Sequence, residues 1–485
     1  MLLEDEDTYR ERKEAFVSGL AGTTMTELLL VSMPIPMGIW LLEEAKAALG
    51  GCETPSLPFL GWCGFVLEML AVIFPAAASM VWPSHTITII LSMAFASVCC
   101  RLQRSYHTTP SGDPGRNMDS CQGKSASWPM MNCVTNIRAS IMLMTCVTIL
   151  AVDFQASHVF PRRFAKTEIF GTGLMDLGVG ATIFASGLAS GCKIKPRSEE
   201  HLRLGWSVYR TILIEMASAA VRAWPLAALG VSRLAVIKGL SYQEHVSEYG
   251  VHWNFFATLF FIRLVVVPMK RIFPARVRYC LSLLAICVYQ WLLVNRGLSD
   301  FIVHAPRDSL FSMNREGILG LVGFAAIYHI ASELGSQISP HRQISEKDSA
   351  EPRFLSRSVT ATSRAIVILW GLTLFSEALI QKTSRRMVNL TYVLWVCAHS
   401  MLMLGLLMVV DNLSVTRPTS RILAAINLNM FPVFMVANLA TGAVNVSMRT
   451  LDAETPSAVA ILVTYITFVA GFAVALSNRG LTMKV

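Results

Sequence analysis

Apolar runs of about 20 residues, the length that crosses a bilayer as a helix, recur along the whole chain between short polar segments. About thirteen such runs can be drawn, near 25–42, 59–80, 84–99, 136–153, 169–191, 207–230, 253–269, 276–294, 317–335, 364–381, 391–410, 424–448 and 457–477. The runs are unbroken and no ten-residue alternation recurs, so the pattern predicts helices and not a lipid-exposed barrel. An all-α polytopic membrane protein follows, organised as a single multi-span domain over 1–485, with polar, Ser-, Pro- and Gly-rich connectors near 101–135 and 336–363.

Composition supports this class. With 53% hydrophobic residues, 15% charged residues and a mean hydropathy of +0.51, the chain has too few charges to clothe a soluble globule. The net charge of +9 is informative through its distribution. If the N-terminus is lumenal and the C-terminus cytoplasmic, the basic loops 101–138, 193–210, 270–278 and 342–364 all fall on the cytoplasmic side, as the positive-inside bias requires. Segments 154–168, 231–252, 294–316 and 382–389 then share the opposite face, and they are the richest in unusual polar residues. The first residues carry no basic n-region, so no removable signal peptide is expected and the first span serves as the signal. Eleven cysteines without Cys-x-x-Cys spacing imply neither a zinc site nor a disulfide framework. No phosphate-binding loop, nucleophile elbow or dinucleotide fingerprint is present.

Three stretches carry candidate chemistry. Asp153 ends an apolar span and is followed by Arg162, Arg163 and Lys166. An acid at that depth is costly unless it is paired or used. A structural ion pair with one of those cations is one reading, a functional carboxylate the other. Asp176 lies among small residues and reads either as functional or as a buried polar clasp. In the run 242–256, helical spacing would align His245, Glu248 or Tyr249, and His252 along one stripe. His and Glu together suit acid and base work near neutral pH. The same residues could ligate a metal, but no further ligands can be placed. Trp253, Phe255 and Phe256 read as interfacial anchors. Asn314 and Arg315 with Glu316 mark a helix start or an anion site built from Arg315 and first-turn amides. Arg210, Glu215, Arg222 and Arg263 sit within or near spans, and Asn438, Thr441 and Asn445 recur at helical spacing as interhelical hydrogen-bonding groups.

The motifs Leu-Ala-Val-Asp-Phe (150–154), Phe-Pro-Arg-Arg-Phe-Ala-Lys (160–166), Gly-Leu-Met-Asp-Leu-Gly-Val-Gly (173–180), the whole run 242–256, Asn-Arg-Glu-Gly-Ile (314–318) and Ser-Arg-Arg-Met-Val-Asn-Leu-Thr-Tyr (384–392) closely resemble the GPI inositol acyltransferase family. The resemblance implies an endoplasmic reticulum membrane enzyme that moves palmitoyl from palmitoyl-CoA to the inositol 2-hydroxyl of glucosaminyl-phosphatidylinositol, with acylation toward the lumen. It implies Asp153 and Lys166 as the catalytic pair. Arg162, Arg163, Asp176, Glu244, His245, Glu248, His252, Trp253, Asn254, Asn314 and Arg315 form the expected substrate-binding set. Acyl-CoA is a co-substrate, no metal or other cofactor is expected, and the partners are membrane lipids and no nucleic acid. The competing reading is a lipid-headgroup transporter whose Asp176, Glu215 and Arg222 line a pathway; a scaffold subunit would need fewer acid and base groups.

Overall fold

A computed structural model describes residues 6–49, 58–107, 129–154, 159–193, 206–239, 246–338, 352–414 and 420–483. Glu244 and His245 lie outside these residues, as do 108–128 and 339–351 of the two polar connectors. The described residues form helices α1 (Glu6–Val17), α2 (Met25–Ser32), α3 (Pro34–Ala48), α4 (Pro58–Glu68), α5 (Phe74–Val81), α6 (Thr86–His107), α7 (Pro129–Ala151), α8 (Leu174–Cys192), α9 (Trp206–Gly239) and α10 (Val246–Tyr249). They continue with α11 (Phe255–Ile272), α12 (Ala275–Asn295), α13 (Leu298–His304), α14 (Leu310–Met313), α15 (Arg315–Ile338), α16 (Pro352–Leu379), α17 (Leu390–Leu413), α18 (Arg421–Leu428), α19 (Met430–Ser447) and α20 (Thr455–Asn478).

Among the described residues, 12 helical stretches are long and apolar enough to cross a membrane. The expected span 253–269 accounts for the difference from thirteen. It is helical as α11, but Arg263, Lys270 and Arg271 fall within its 18 residues and Pro268 interrupts its hydrogen-bond ladder. The expected run 424–448 is also not continuous. It breaks at Asn429, a fully buried residue with φ −125° and ψ 39°, whose side-chain oxygen accepts a hydrogen bond from the Met483 amide at 3.2 Å.

The chain forms two compact units. The first comprises residues 1–24 and 162–401, the second 25–161 and 402–484. In the first unit α8 packs along α15 with almost no space between backbones. A β-carbon added at Gly187 would lie 2.4 Å from the Tyr328 carbonyl oxygen, and one at Gly191 would lie 2.0 Å from that of Ser332. Such small-residue seams let membrane helices gain dispersion contact where the hydrophobic effect between helices is absent. Helix α15 also packs on α12, and α9 packs on α11.

In the second unit α3 packs against α6, and α7 against α18 and α19. A π-helical turn, Met69–Ile73, separates α4 from α5. Glu68 immediately precedes it, and its carboxylate accepts from the Ser420 hydroxyl at 2.8 Å and from the amides of Arg421 and Ile422 at 2.9 and 2.7 Å. A carboxylate over the first amides of α18 satisfies donors that no helix can satisfy internally. A narrow apolar cleft opens between α7, α18, α19 and α20, lined by Met142, Leu143, Cys146, Ile426, Val433 and Val469.

Candidate active site

In the first unit three sequence motifs meet through one arginine. The stretch 162–173 turns through a 3₁₀ segment, Arg162–Phe164, and leads into α8, where Asp176 occupies the third helical position. The Asp176 carboxylate is fully buried and accepts from the Gly173 amide at 2.9 Å, the Thr167 amide at 3.2 Å and the Thr167 hydroxyl at 2.9 Å. It is the polar clasp that fixes the loop carrying Lys166. Arg385, from the segment between α16 and α17, places Nε 3.1 Å from Asp176 and Nη2 3.1 Å from Glu248. The other oxygen of Glu248 lies 2.6 Å from Lys166 Nζ. Lys166, Glu248, Arg385 and Asp176 thus alternate in sign along one chain of contacts, with the Tyr249 ring 5.3 Å from the Arg385 guanidinium.

Electrostatics follow from this alternation. Burial acts to raise the Glu248 carboxyl, but Lys166 and Arg385 together outweigh it and hold the group down at about 2. Burial acts to lower the Arg385 guanidinium, and the negative charges of Glu248 and Asp176 outweigh it, so this group is raised. Tyr249 is pushed up by burial and by Glu248. A carboxylate held so low is a weak base. Glu248 is therefore suited to fixing the Lys166 ammonium, whose side chain is 38% exposed and retains donors for another group.

A second buried cluster lies in the same unit. Glu316, in the first turn of α15, accepts from Arg307 at 2.5 and 3.1 Å and from Arg386 at 3.1 Å. Arg315 is 1% exposed and turned elsewhere: Nε donates to the Ile302 carbonyl at 2.8 Å and Nη1 to that of Ala305 at 2.6 Å. Its guanidinium closes the C-terminal end of α13, whose last carbonyls have no intrahelical donor. This corrects the expectation that Arg315 and the first amides of α15 make an anion site.

The run 246–254 departs from the expected stripe. Helix α10 ends at Tyr249 because Gly250 adopts φ +114°, and a β-carbon there would lie 2.6 Å from Asn314 Cα. The chain then pairs with the segment before α15: the Val251 amide donates to the Met313 carbonyl at 2.9 Å, and the His252 amide to Asn314 Oδ1 at 2.8 Å. His252 therefore does not share a helix face with Glu248, and its ring is exposed. Trp253 donates to the Thr258 hydroxyl at 2.9 Å and rests on Gly317, where a β-carbon would lie 2.4 Å from the indole. Asn254 caps α11 by accepting from the Ala257 amide at 3.1 Å, and it donates to the Gly230 carbonyl at 2.9 Å. Arg162 reaches the carbonyls of Ala15 and Ser18 and lies over Phe16, and Arg163 lies over Phe164; both are exposed.

The second unit holds Asp153, two residues beyond the end of α7. Its Oδ2 accepts from Asn445 Nδ2 at 2.7 Å, and the Asn445 oxygen accepts from the Thr450 hydroxyl at 3.3 Å. Lower in the same bundle Tyr465 donates to the Cys146 carbonyl, with the oxygens 2.9 Å apart.

Arg385, Arg386 and Arg307 were missed in the sequence as site residues. A signal for them existed: two adjacent arginines immediately before an apolar span, on the face expected to be poor in basic residues, demand acidic partners. The metal reading of the 242–256 run loses support because Glu248 faces two cations. The residues of the transport reading have separate partners: Asp176 has Arg385, Glu215 has Arg271 at 3.6 Å, and Arg222 donates to Ser218 at 2.6 Å.

Comparison with known proteins places these motifs. The chain is 34% identical over 496 residues to GPI-anchored wall transfer protein 1 of Emericella nidulans, covering 98% of this chain and 99% of the relative. It is 30% identical over 489 residues to the phosphatidylinositol-glycan biosynthesis class W protein of Dictyostelium discoideum, covering 95% and 96% of the two chains. The relative of that first name in Candida albicans is 30% identical over 480 residues, covering 94% of this chain. The family model described as GWT1 matches residues 9–476, and the chain belongs to the GWT1 family.

Proposed function

We propose that this protein is an O-acyltransferase of GPI-anchor biosynthesis that transfers a palmitoyl group from acyl-CoA to the inositol 2-hydroxyl of glucosaminyl-phosphatidylinositol in the endoplasmic reticulum membrane. The names of the relatives support a GPI intermediate as substrate. The observation that carries the chemical reading is the Lys166 ammonium, half exposed and fixed at 2.6 Å by a carboxylate that Arg385 fixes in turn.

A secondary hydroxyl needs a base, and the addition product needs its new negative charge matched. In this reading Asp153, oriented by Asn445, takes the proton of the 2-hydroxyl as the oxygen attacks the thioester carbonyl. Lys166 stabilises the oxyanion of the tetrahedral intermediate. Collapse breaks the carbon–sulfur bond, forms the ester and releases the CoA thiolate, which recovers the proton from Asp153. Exposed Arg162 and Arg163 offer guanidinium groups for substrate phosphate, a geometry in which arginine excels. With the N-terminus lumenal and α11 counted as a crossing, the segments bearing Lys166, Glu248 and Arg385 fall together on the lumenal face.

The test is transfer of labelled palmitoyl from CoA to a glucosaminyl-phosphatidylinositol analogue by detergent-purified protein. Wild type is expected to transfer, and Asp153→Asn and Lys166→Ala to lose about 10²–10⁴-fold, the first at unchanged melting temperature and the second with a lowered one, because Glu248 keeps only Arg385 as its cation. Near-complete activity in well-folded Asp153→Asn would remove it as the base, and no transfer by well-folded wild type would return weight to transport.

A further inference from the structure

The other end of the first unit, where α8 and α11 finish and α12 begins, holds two cations that form no ion pair among the described residues. Lys270 is half buried, and Nζ donates to Ser190 Oγ at 2.6 Å and to the Tyr328 hydroxyl, both neutral. Arg278 is 6% exposed, and Nη1 donates to the carbonyls of Phe273 and Lys270 at 2.6 and 3.5 Å. Among the described residues neither side chain has a carboxylate within ion-pairing distance. Glu333 is within electrostatic reach of Arg278 without pairing with it, and it accepts from Gln337 at 3.0 Å; Glu215 pairs with Arg271 at 3.6 Å.

Unused hydrogen-bonding atoms lie on α12 and on α15, which packs against it. Arg278 Nε, His329 Nε2 and Ser332 Oγ are buried without a hydrogen-bond partner among the described residues. His329 and Ser332 are 2% and 4% exposed and lie one turn apart on α15, and His329 is within electrostatic reach of both Arg278 and Lys270. Burying one orphaned polar atom costs about 1–3 kcal/mol and an unpaired charge costs more, so several together point to a missing group. Glu333 at a distance offsets part of the charge on Arg278 but pairs with neither cation, so the group that completes the cluster is anionic and accepts several hydrogen bonds. A phosphate ester meets both requirements. Ordinary interfacial lysines and arginines, by contrast, reach water or headgroups and do not leave buried donors unpaired.

We propose that this end of the first unit is a phosphate-binding site, with Lys270 and Arg278 supplying charge and His329 and Ser332 supplying hydrogen bonds. The phosphate is that of a soluble nucleotide or that of an anionic lipid headgroup. The site does not rest on the acyl-transfer reading and would stand if that reading failed.

Two binding arms test it on the full chain in phosphatidylcholine nanodiscs. In one, coenzyme A and adenosine 3′,5′-bisphosphate are titrated by calorimetry. In the other, phosphatidic acid is doped into the disc and its retention read by native mass spectrometry. At least one arm is expected to show binding to wild type, with Lys270→Gln and Ser332→Ala each weakening it about tenfold or more. Loss in the soluble arm identifies a nucleotide phosphate, and loss in the lipid arm a headgroup. Ser332→Ala removes one hydroxyl and keeps the helix, so it decides the matter if Lys270→Gln fails to fold. No binding to wild type in either arm, or wild-type binding by folded Ser332→Ala, overturns the proposal.

Discussion

The two ends of the first unit treat buried charge in opposite ways. Around α10 and the first turns of α8 and α15, each buried or half-buried cation outside the capping Arg315 meets a carboxylate: Lys166 and Arg385 meet Glu248, Arg385 meets Asp176, and Arg307 and Arg386 meet Glu316. Where α11 turns into α12, Lys270 and Arg278 are held by hydroxyls and carbonyls. A closed network fixes positions, because every displacement breaks a charged hydrogen bond in a low-dielectric setting. An open one stores affinity for whatever completes it. The first arrangement suits a site that must aim an ammonium, the second a site that must capture an anion.

The largest expected effect comes from breaking the closed network. Glu316→Gln leaves Arg307 and Arg386 without their acid, and removing one partner of a buried ion pair costs about 3–5 kcal/mol. Thermal melts in detergent should show a strongly lowered midpoint or no folded protein. Gly250→Ala comes next, at about 1–3 kcal/mol, because the position combines φ +114° with backbone 2.6 Å from the added carbon. Its melting temperature should fall, and the proposed palmitoyl transfer with it, since α10 carries Glu248.

Glu248 gives the comparison a pH dependence. Its carboxyl titrates at about 2 against an ordinary value of 4.5, so it contributes stability that is complete above about pH 4.5 and is lost as pH falls toward 2. The wild-type melting temperature should decline across that window, and Glu248→Gln should decline less steeply. Lys270→Gln, at the end without paired carboxylates, should leave this pH slope as in wild type. The smallest effect belongs to Glu215→Gln. Its pair with Arg271 is partly exposed, at 27% and 39% for the two side chains, and such pairs contribute about 0–1 kcal/mol. A loss comparable to that of Glu316→Gln would erase the contrast between the ends.

Much of the fold was legible because a membrane span announces itself by composition over a short window. Where local composition conflicted with tertiary placement, the reading faltered: Asn429 divides a run that reads as continuous; α11 carries three cations, yet it runs from the end of the unit that holds Glu248 to the end where Lys270 meets Ser190. The site was legible as motifs and not as pairings. Parity gathered the segments bearing Lys166, Glu248 and Arg385 on one face, yet the partner that the structure gives Lys166 is 82 residues away. Periodicity could not reveal it, because residues so far apart meet only through packing. His252 was misplaced for a local reason, a glycine whose positive φ ends a helix of four residues. Asp176 was open between two roles until its donors were counted in space.

The central claim is that Glu248 acts through Lys166. A double-mutant cycle on the proposed palmitoyl transfer tests it directly, comparing Lys166→Ala, Glu248→Gln and the combination at matched folding. The account predicts that the double variant transfers no more slowly than Lys166→Ala alone, because a residue that only fixes the ammonium has nothing left to fix. Losses that multiply would contradict it and give Glu248 a role of its own.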